Sequence, residues 1–280
     1  MKKRLLIILI FFLFLFGIFF LLLNLNKKKT QLSLGTSSNS LSEQGKFRTL
    51  SIFDLPVEER PYIALWPSSD GHWITLNVDN IKNSEKIEYE IVYEMTVESE
   101  EGNKRIEQGI TSEVSVKGNS YNSGKRLFGS ESAGKYKYDK DVEGKRLLIR
   151  LRNPSEVIKY ETEWVIKNGG KELVSPDSKF SLKGNLPKDF FVILMTGGIP
   201  APVEGEIIGG PYGVFSSGQM KLSEAAIITF SIGSVPEKVR VLVWDSKTIS
   251  WEELNNDLRI ENGEVSVKTN KLGTFVVVRP

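Results

Sequence analysis

The sequence predicts an all-β protein, with two antiparallel β-sandwiches in tandem after a single N-terminal transmembrane helix. Three observations support this prediction: an unbroken apolar run near the N-terminus, many short segments in which apolar and polar residues alternate, and Asp-Gly or Asn-Gly turn signals between segments. A chain of 280 residues has room for two ordinary domains in addition to an N-terminal segment.

The first segment, 1–29, is predicted to be a signal-anchor helix with basic flanks. Leu5–Leu23 is an apolar run of 19 residues, and a helix of that length spans about 28 Å, close to the hydrocarbon thickness of a bilayer. A cleavable signal peptide has a shorter apolar core, of about 7–15 residues, that ends at a small-residue cleavage site. Here Asn24–Asn26 and three lysines follow instead. We therefore expect Leu5–Leu23 to remain in the bilayer.

The orientation of this anchor is predicted from its short N-terminal side. Three basic residues precede the run and three follow it, so the positive-inside rule barely discriminates between the two orientations. The free amine adds one charge to a preceding segment of only four residues. We expect a single-pass protein of the cell membrane with its N-terminus in the cytoplasm and its C-terminal domains outside the cell.

Charge and composition exclude several classes of function. The anchor flanks hold six of the 37 basic residues, which leaves 31 basic against 35 acidic residues, a net charge of −4 for the rest of the chain. A mildly acidic body does not predict nucleic-acid binding. The chain has no cysteine, so disulfides, thiolate catalysis and cysteine-ligated metals are excluded.

Residues 30–58 are predicted to be a flexible stalk, and residues 59–168 a first β-sandwich. The stalk is rich in Ser, Gly, Asn and Thr and holds too little apolar surface to order itself, so ordered structure is expected to start near Pro61. In the sandwich, KIEYEIVYEM (86–95) alternates apolar residues with glutamates, which is typical of a half-buried antiparallel strand. Three further candidate strands share this alternation: 72–78, 144–152 and 157–167.

Residues 173–280 are predicted to form the second sandwich. NGGKELVSPDS (168–178) is the expected joint, and the six candidate strands that follow include FFVILM (190–195) and TFVVVR (274–279). Asn262-Gly263 is typical of a tight hairpin turn. The one candidate helical turn in this part is SWEELNN (250–256).

The C-terminal part resembles a known kind of module. PYGVFSSGQMKLSEAAIITFSI (211–232), KVRVLVWDSKTISWEEL (238–254) and LRIENGEVSVKTNKLGTFVVV (258–278) together resemble an immunoglobulin-like closing module of bacterial surface and secreted proteins. The run 129–152 resembles extracellular β-domains of membrane-anchored bacterial proteins. The resemblance implies an immunoglobulin-like fold and a surface location. Such modules space, display or adhere, and they share no catalytic residues.

GSESAGKY (129–136) matches G-x-x-x-x-G-K, the frame of a phosphate-binding loop. A working loop needs Ser or Thr after the lysine and a helix behind it. Tyr136 takes the place of the hydroxyl residue, and the alternating aromatics that follow are a poor helix. We expect a Gly/Ser loop between two strands and no nucleotide cofactor.

Other chemical motifs are incomplete. Asp139, Asp141 and Glu143 resemble the start of a calcium loop, but the position of the bidentate glutamate is Arg150, so a solvated acidic turn is expected and calcium binding stays open. His72 is the only histidine and is expected to be an exposed hairpin residue. Glu88, Glu90 and Glu94 are expected to form the solvent-exposed face of one strand rather than the acid pair of a glycosidase. The sequence thus predicts no catalytic, cofactor-binding or metal-binding residue.

Three aromatic residues are candidates for contact with a partner or glycan. Trp73 falls on the face of its strand opposite to Ile74 and Leu76, and a tryptophan exposed beside Tyr62 or Trp66 would stack on a sugar or fill a pocket in a partner. The other tryptophans are expected in the core or at its rim.

These patterns favour a non-enzymatic, membrane-tethered extracellular protein for adhesion, display or envelope structure. Its expected partners are the lipid bilayer, through Leu5–Leu23, and a cell-envelope protein or glycan. One alternative is a carbohydrate-binding surface module. Another is an envelope hydrolase, whose site would need a cleft with at least two titratable side chains in the irregular segment 196–213, which holds six glycines and three prolines.

Overall fold

Antiparallel strands dominate the protein, which confirms the all-β prediction. The computed structural model describes residues 48–100 and 102–280. The predicted anchor and residues 30–47 of the predicted stalk lie outside these ranges. In them the regular elements are strands and two 3₁₀ turns, Ile52–Asp54 and Val57–Glu59, and none of the helices there has the length and hydropathy required to cross a bilayer.

The strands are numbered in chain order. They are β1 (Arg48–Ser51), β2 (Tyr62–Pro67), β3 (Trp73–Asp79), β4 (Lys86–Val97), β5 (Lys104–Ser115), β6 (Ser120–Leu127), β7 (Gly129–Ser132), β8 (Lys135–Tyr138), β9 (Lys140–Arg152), β10 (Glu156–Val174), β11 (Phe180–Met195), β12 (Glu206–Ser216), β13 (Lys221–Ser231), β14 (Arg240–Asp245), β15 (Ser250–Leu254), β16 (Arg259–Glu261), β17 (Glu264–Lys271) and β18 (Gly273–Arg279).

One long sheet runs through both predicted halves. Its order is β15-β14-β18-β12-β11-β10-β9-β4-β5, and β13, β17 and β16 continue from the first part of β11. A separate sheet, β2-β3-β6, and a two-stranded hairpin, β7-β8, complete the fold. All of these pairs are antiparallel; β1 adds a parallel pair along β10.

The first hydrophobic core lies between β2-β3-β6 and the end of the long sheet formed by β10, β9 and β4. On β4, Ile87, Tyr89, Ile91 and Tyr93 are buried in it. The intervening glutamates lie on the opposite face, where Glu90 and Glu94 accept from Arg146 at 3.1 Å and from Lys145 at 2.9 Å on β9. This confirms the predicted charged face of the strand.

The second core is built from β11–β14, β17 and β18. Phe180 is fully buried at its centre and contacts the rings of Tyr212, Phe230 and Phe275 at centroid distances of 4.9–5.6 Å. The Asn262-Gly263 hairpin turn lies at its edge with φ values of +52° and +80°, as the dipeptide predicts.

Strand β11 contributes to both cores. Phe191 and Ile193 are buried in the second core, whereas Val192 and Leu194 are buried in the first. A strand that is covered on both faces has no polar side, which explains why FFVILM shows no alternation. The two cores are therefore joined through the side chains of one strand.

Strand β10 continues through 168–174, the first part of the predicted joint 168–178. Its pairing with β11 shifts register between Asn168 and Gly170 and again between Gly170 and Glu172. Gly169 has φ +48°, and a Cβ there would lie 2.6 Å from the carbonyl oxygen of Pro187. The joint is thus an irregularity within a paired strand, and the division into domains 59–168 and 173–280 stays a prediction.

Two local predictions are wrong. Residues before Pro61 are already ordered among those described, because β1 pairs with β10 and Ile52 is fully buried in the first core. Residues 48–58 therefore do not belong to a stalk. SWEELNN is not helical: Ser250–Leu254 is β15, and Trp251 pairs directly opposite Trp244 of β14. Cross-strand packing overrides the helical propensity of so short a segment.

The close contact between Gly144 and Trp164 gives a test of the first core. A Cβ at Gly144 would lie 2.5 Å from the Trp164 ring and 2.6 Å from its carbonyl oxygen. Trp164 is fully buried, and its indole N–H donates to the Val92 carbonyl at 3.1 Å. We expect Gly144→Ala to lower the free energy of unfolding by about 1–3 kcal/mol, since overpacking must move the ring. Chemical denaturation measures this loss.

Gly109→Ala is the matched control, because Gly109 is also inside a strand but a Cβ there meets nothing closer than 4.0 Å. Its unfolding free energy should be unchanged or slightly higher. Equal effects of the two substitutions would contradict the tight packing of Trp164.

Candidate binding face

The three predicted contact residues lie on one face of the β2-β3-β6 sheet. In the pairing of β2 with β3, Tyr62 is opposite Asp79, Ala64 is opposite Asn77, and Trp66 is opposite Thr75. Trp73 continues the same row on β3, because side chains two residues apart point to the same side. The opposite side carries Ile63, Leu65, Ile74, Leu76 and Val78, all buried in the first core. We call the first side the outer face.

A cavity of about 300 Å³ lies against the Tyr62–Asp79 end of the outer face. Its other wall comes from the second half of the chain, through side chains of β12, β14 and β18 and the loops beside them. We call it the aromatic cavity. Its lining residues are Tyr62, Ala64, Trp66, Asn77, Asp79, Pro200, Phe215, Met220, Trp244, Ser246, Gly273 and Thr274.

Hydrogen bonds and ring contacts hold the walls of the aromatic cavity in place. The hydroxyls of Tyr62 and Thr274 are 2.9 Å apart, which ties β2 to β18. Burial raises the pKa of Tyr62 to about 12. The nearby Asp79 charge also raises this pKa, whereas the hydrogen bond to Thr274 lowers it. Trp66 packs on the buried Phe215 with a centroid distance of 4.8 Å. Tyr62 is therefore a neutral, largely buried residue of the cavity wall rather than an exposed surface residue.

Asp79 is the one charged residue that lines the aromatic cavity. Although the residue is exposed overall, its neighbours remove enough water to raise the pKa of its carboxyl above the ordinary value of 3.8. In the described part of the chain no hydrogen bond or ion pair engages this carboxylate. Asp79 thus places an uncompensated negative charge beside the aromatic side chains.

The other end of the outer face carries an array of partly exposed rings. Trp73 meets Tyr136 edge-on at 5.4 Å, and Tyr136 is 6.2 Å from the parallel ring of Tyr138. Tyr138 in turn stacks on His72 at 4.0 Å. Tyr136 and Tyr138 are 47% and 40% exposed. We call these four residues the ring platform. His72 is half-buried here, so the prediction of an exposed hairpin residue is wrong.

The GSESAGKY segment supplies Tyr136, and Tyr138 follows two residues after it on the same strand. The segment forms the β7-β8 hairpin, in which Ala133 and Gly134 make the turn with φ values of +48° and +76°. A strand, not a helix, follows the lysine, so no helix N-terminus faces a phosphate. A Cβ at Gly129 would lie 2.1 Å from the Lys137 carbonyl oxygen. The segment is therefore a hairpin of its own rather than the expected loop between two strands, and its glycines serve that hairpin.

The incomplete calcium motif begins at Asp139, between β8 and β9, continues into β9, and lines a cleft of about 700 Å³ together with His72. Asp139 accepts from the Tyr93 hydroxyl at 2.7 Å. Glu143 pairs with Arg105 at 2.9 Å, and the same arginine donates to the Asp141 carbonyl at 2.6 Å. No three acidic or histidine residues converge as a metal site anywhere in the described ranges. The expected acidic turn is instead part of a strand with several of its polar groups engaged.

One cavity beside the irregular segment 196–213 has several titratable side chains. There Tyr212 lines a cavity of about 190 Å³ with Glu161, Glu163 and Asp177. Asp177 accepts from Tyr212 at 2.5 Å and from Ser175 at 2.6 Å, and Glu161 pairs with Lys159 at 2.6 Å. The minimum condition of the hydrolase hypothesis is present, but two of the three carboxylates are engaged in structural bonds.

Comparison with known proteins adds no assignment. No protein-family model matches the chain, and no curated protein is significantly similar to it.

Sequence reasoning missed Asp79 and Trp244 as members of a site. Each belongs to an ordinary strand, and about 165 residues separate them in the chain. Only the contact of β2-β3 with β14 and β18 brings them together.

The raised pKa of Asp79 predicts how stability responds to its removal. Because the folded pKa exceeds the unfolded one, ionisation of Asp79 costs stability above the folded pKa, and this cost disappears below about pH 3.8. We expect Asp79→Asn to raise the melting temperature slightly at pH 7 and to have little effect at pH 3. Thermal unfolding followed by circular dichroism measures both values.

Glu237→Gln makes the same charge change at an exposed loop site and should leave the melting temperature unchanged at either pH. A lower melting temperature of Asp79→Asn at pH 7 would mean that the carboxylate is stabilised by a partner.

Proposed function

We propose that this chain is a non-enzymatic, membrane-tethered protein of the bacterial cell surface, and that the ring platform contacts its partner. The proposal combines the apolar run Leu5–Leu23 as an anchor, the Ser/Gly-rich segment that follows it, and an all-β body built from two immunoglobulin-like sandwiches. The single observation that carries the binding role is the ring platform.

Partly exposed aromatic side chains in an ordered array are unusual on a surface without a partner. Aromatic rings provide a large contact area and lose little conformational entropy on binding, so they are enriched at the centres of interfaces. Here a hairpin and a strand hold the rings, with Tyr136 and Tyr138 on the same side of β8. The array is therefore already formed before a partner arrives, which lowers the cost of binding.

A carbohydrate is the second candidate for this partner. Sugar rings present apolar faces to aromatic side chains and hydroxyls to polar ones. Next to Trp73 on the outer face lies the pair Thr75 and Lys125, which offers hydroxyl and ammonium groups beside the ring. The envelope hydrolase remains a further alternative, since Tyr212 lines a cavity together with the carboxylates of Glu161, Glu163 and Asp177.

The surface location predicts protection and cleavage patterns in whole cells. If the body lies outside the membrane, protease added to intact cells should degrade residues 48–280, while a cytoplasmic marker stays intact. Immunoblotting with an antibody against the body measures the loss. The matched sample is permeabilised cells, in which both proteins should be cleaved. A body that is protected in intact cells but cleaved after permeabilisation would contradict the proposal.

The ring platform predicts which substitutions weaken partner binding. Trp73→Ala and Tyr136→Ala each remove one stacked ring, which is worth about 0.5–1.5 kcal/mol, or roughly two- to tenfold in affinity. Binding of the full-length chain to isolated envelope fractions, with and without their polysaccharide removed, provides the measurement. Loss of binding on removal of the polysaccharide would select the carbohydrate.

Ile249→Ala is the control, because Ile249 is a 75% exposed apolar residue outside the ring platform. It should bind like the wild type. If the platform variants also bound like the wild type, the platform would not be the contact surface.

A further inference from the structure

The aromatic cavity has a charge pattern that selects for one class of ligand. Tyr62, Trp66, Phe215 and Trp244 surround it, and Asp79 is the single charged side chain among its lining residues. Aromatic faces carry partial negative charge and attract cations. The rings and the Asp79 carboxylate therefore both favour a cationic ligand. We infer that the aromatic cavity binds a quaternary ammonium group, with the rings around its methyl groups and Asp79 as its counter-ion.

The state of Asp79 supports a cationic ligand. Other half-buried carboxylates among the described residues have a cation close by: Glu94 pairs with Lys145, and Glu252 pairs with Lys271. Asp79 has no such pair among the described residues, and its pKa is raised by the loss of water alone. A bound cation would supply the missing charge and return the pKa towards its ordinary range.

The hydrogen-bond pattern favours a quaternary over a primary ammonium. The hydroxyls of Tyr62 and Thr274 are bonded to each other at 2.9 Å, and Oδ1 of Asn77 accepts from Asn122 at 2.6 Å. Among the described side chains that line the cavity, this leaves Asp79 and the Ser246 hydroxyl as acceptors without a hydrogen bond, fewer than the three N–H donors of a primary ammonium. A trimethylammonium group has no donor to satisfy and offers only charge and methyl surface.

The dimensions and the rigidity of the cavity are suitable for such a group. Its volume of about 300 Å³ is at the small end of the range for ligand sites. Its walls are fixed by the Tyr62–Thr274 bond and by Trp66 on Phe215. The aromatic cavity shares no residue with the ring platform. A negative result at one site therefore leaves the proposal for the other site unaffected.

The test compares ligands of equal shape that differ in charge. Full-length protein in an uncharged polyoxyethylene detergent is titrated with choline and with its neutral isostere 3,3-dimethyl-1-butanol, and tryptophan fluorescence and calorimetry follow binding. n-Butylammonium tests the primary ammonium. A short peptide with trimethyl-lysine tests whether the group is recognised on a protein side chain, whereas choline represents a small molecule. We expect choline to bind at least about tenfold more tightly than the neutral isostere.

Asp79→Asn supplies the matched variant, since it keeps the shape of the side chain and removes its charge. We expect it to weaken choline binding about tenfold while leaving the weak binding of the neutral isostere unchanged. Glu237→Gln, with the same charge change outside the cavity, should bind choline like the wild type. Circular dichroism confirms that each variant is folded.

Three results would overturn the inference: equal affinity for choline and 3,3-dimethyl-1-butanol, tighter binding of n-butylammonium than of choline, or undiminished choline binding by Asp79→Asn. Absence of binding by every probe at millimolar concentration would also overturn it. Binding of the peptide but not of choline would keep the ammonium site and assign it to a protein partner.

Discussion

Burial of β11 on both faces is the constraint on which the rest of the structure depends. Phe191 and Ile193 fill one core, and Val192 and Leu194 fill the other. Neither core is closed without this strand, so the two halves cannot move apart without exposing apolar side chains to water. The segment after β11 then continues this connection, because Thr196 accepts from the Ile63 amide at 3.1 Å and Gly198 donates to the Pro61 carbonyl at 2.9 Å.

The aromatic cavity is a consequence of this connection. The bonds to Ile63 and Pro61 place β2 beside residues 196–198, and the Tyr62 hydroxyl then reaches Thr274 of β18. Strand β2 supplies Trp66 from one core, whereas β14 supplies Trp244 from the sheet of the other. A space between two packed bodies with fixed walls is where ligand sites commonly occur. The ring platform has a different origin. It forms because the β7-β8 hairpin, which carries Tyr136 and Tyr138, lies next to the start of β3, where His72 and Trp73 are found.

Features that depend on neighbours in the chain could be predicted from the sequence, whereas contacts between distant strands could not. Alternation at 86–95 and the Asn262-Gly263 turn predicted β4 and the β16-β17 hairpin, because both depend on neighbours in the chain. Period-two patterns also placed Trp73 on the outer face. Alternation could not reveal that FFVILM serves two cores, since burial on both sides removes the pattern. It could not join Asp79 to Trp244 either, because that contact depends on how β2-β3 packs on β14 and β18.

Asp79 distinguishes the aromatic cavity from an ordinary gap between two hydrophobic cores. An aspartate whose carboxylate loses water without gaining a partner lowers stability when it is ionised. An asparagine or serine at the same place on the outer face would avoid that cost and still reach solvent. Unfavourable charges of this kind are concentrated at binding and catalytic sites, where the ligand supplies the compensating interaction. An anion is disfavoured as that ligand because the Asp79 carboxylate carries the same sign of charge, whereas aromatic faces attract a cation. Folding and binding are therefore linked at this residue: the charge that weakens the free protein is the one that a bound cation would neutralise.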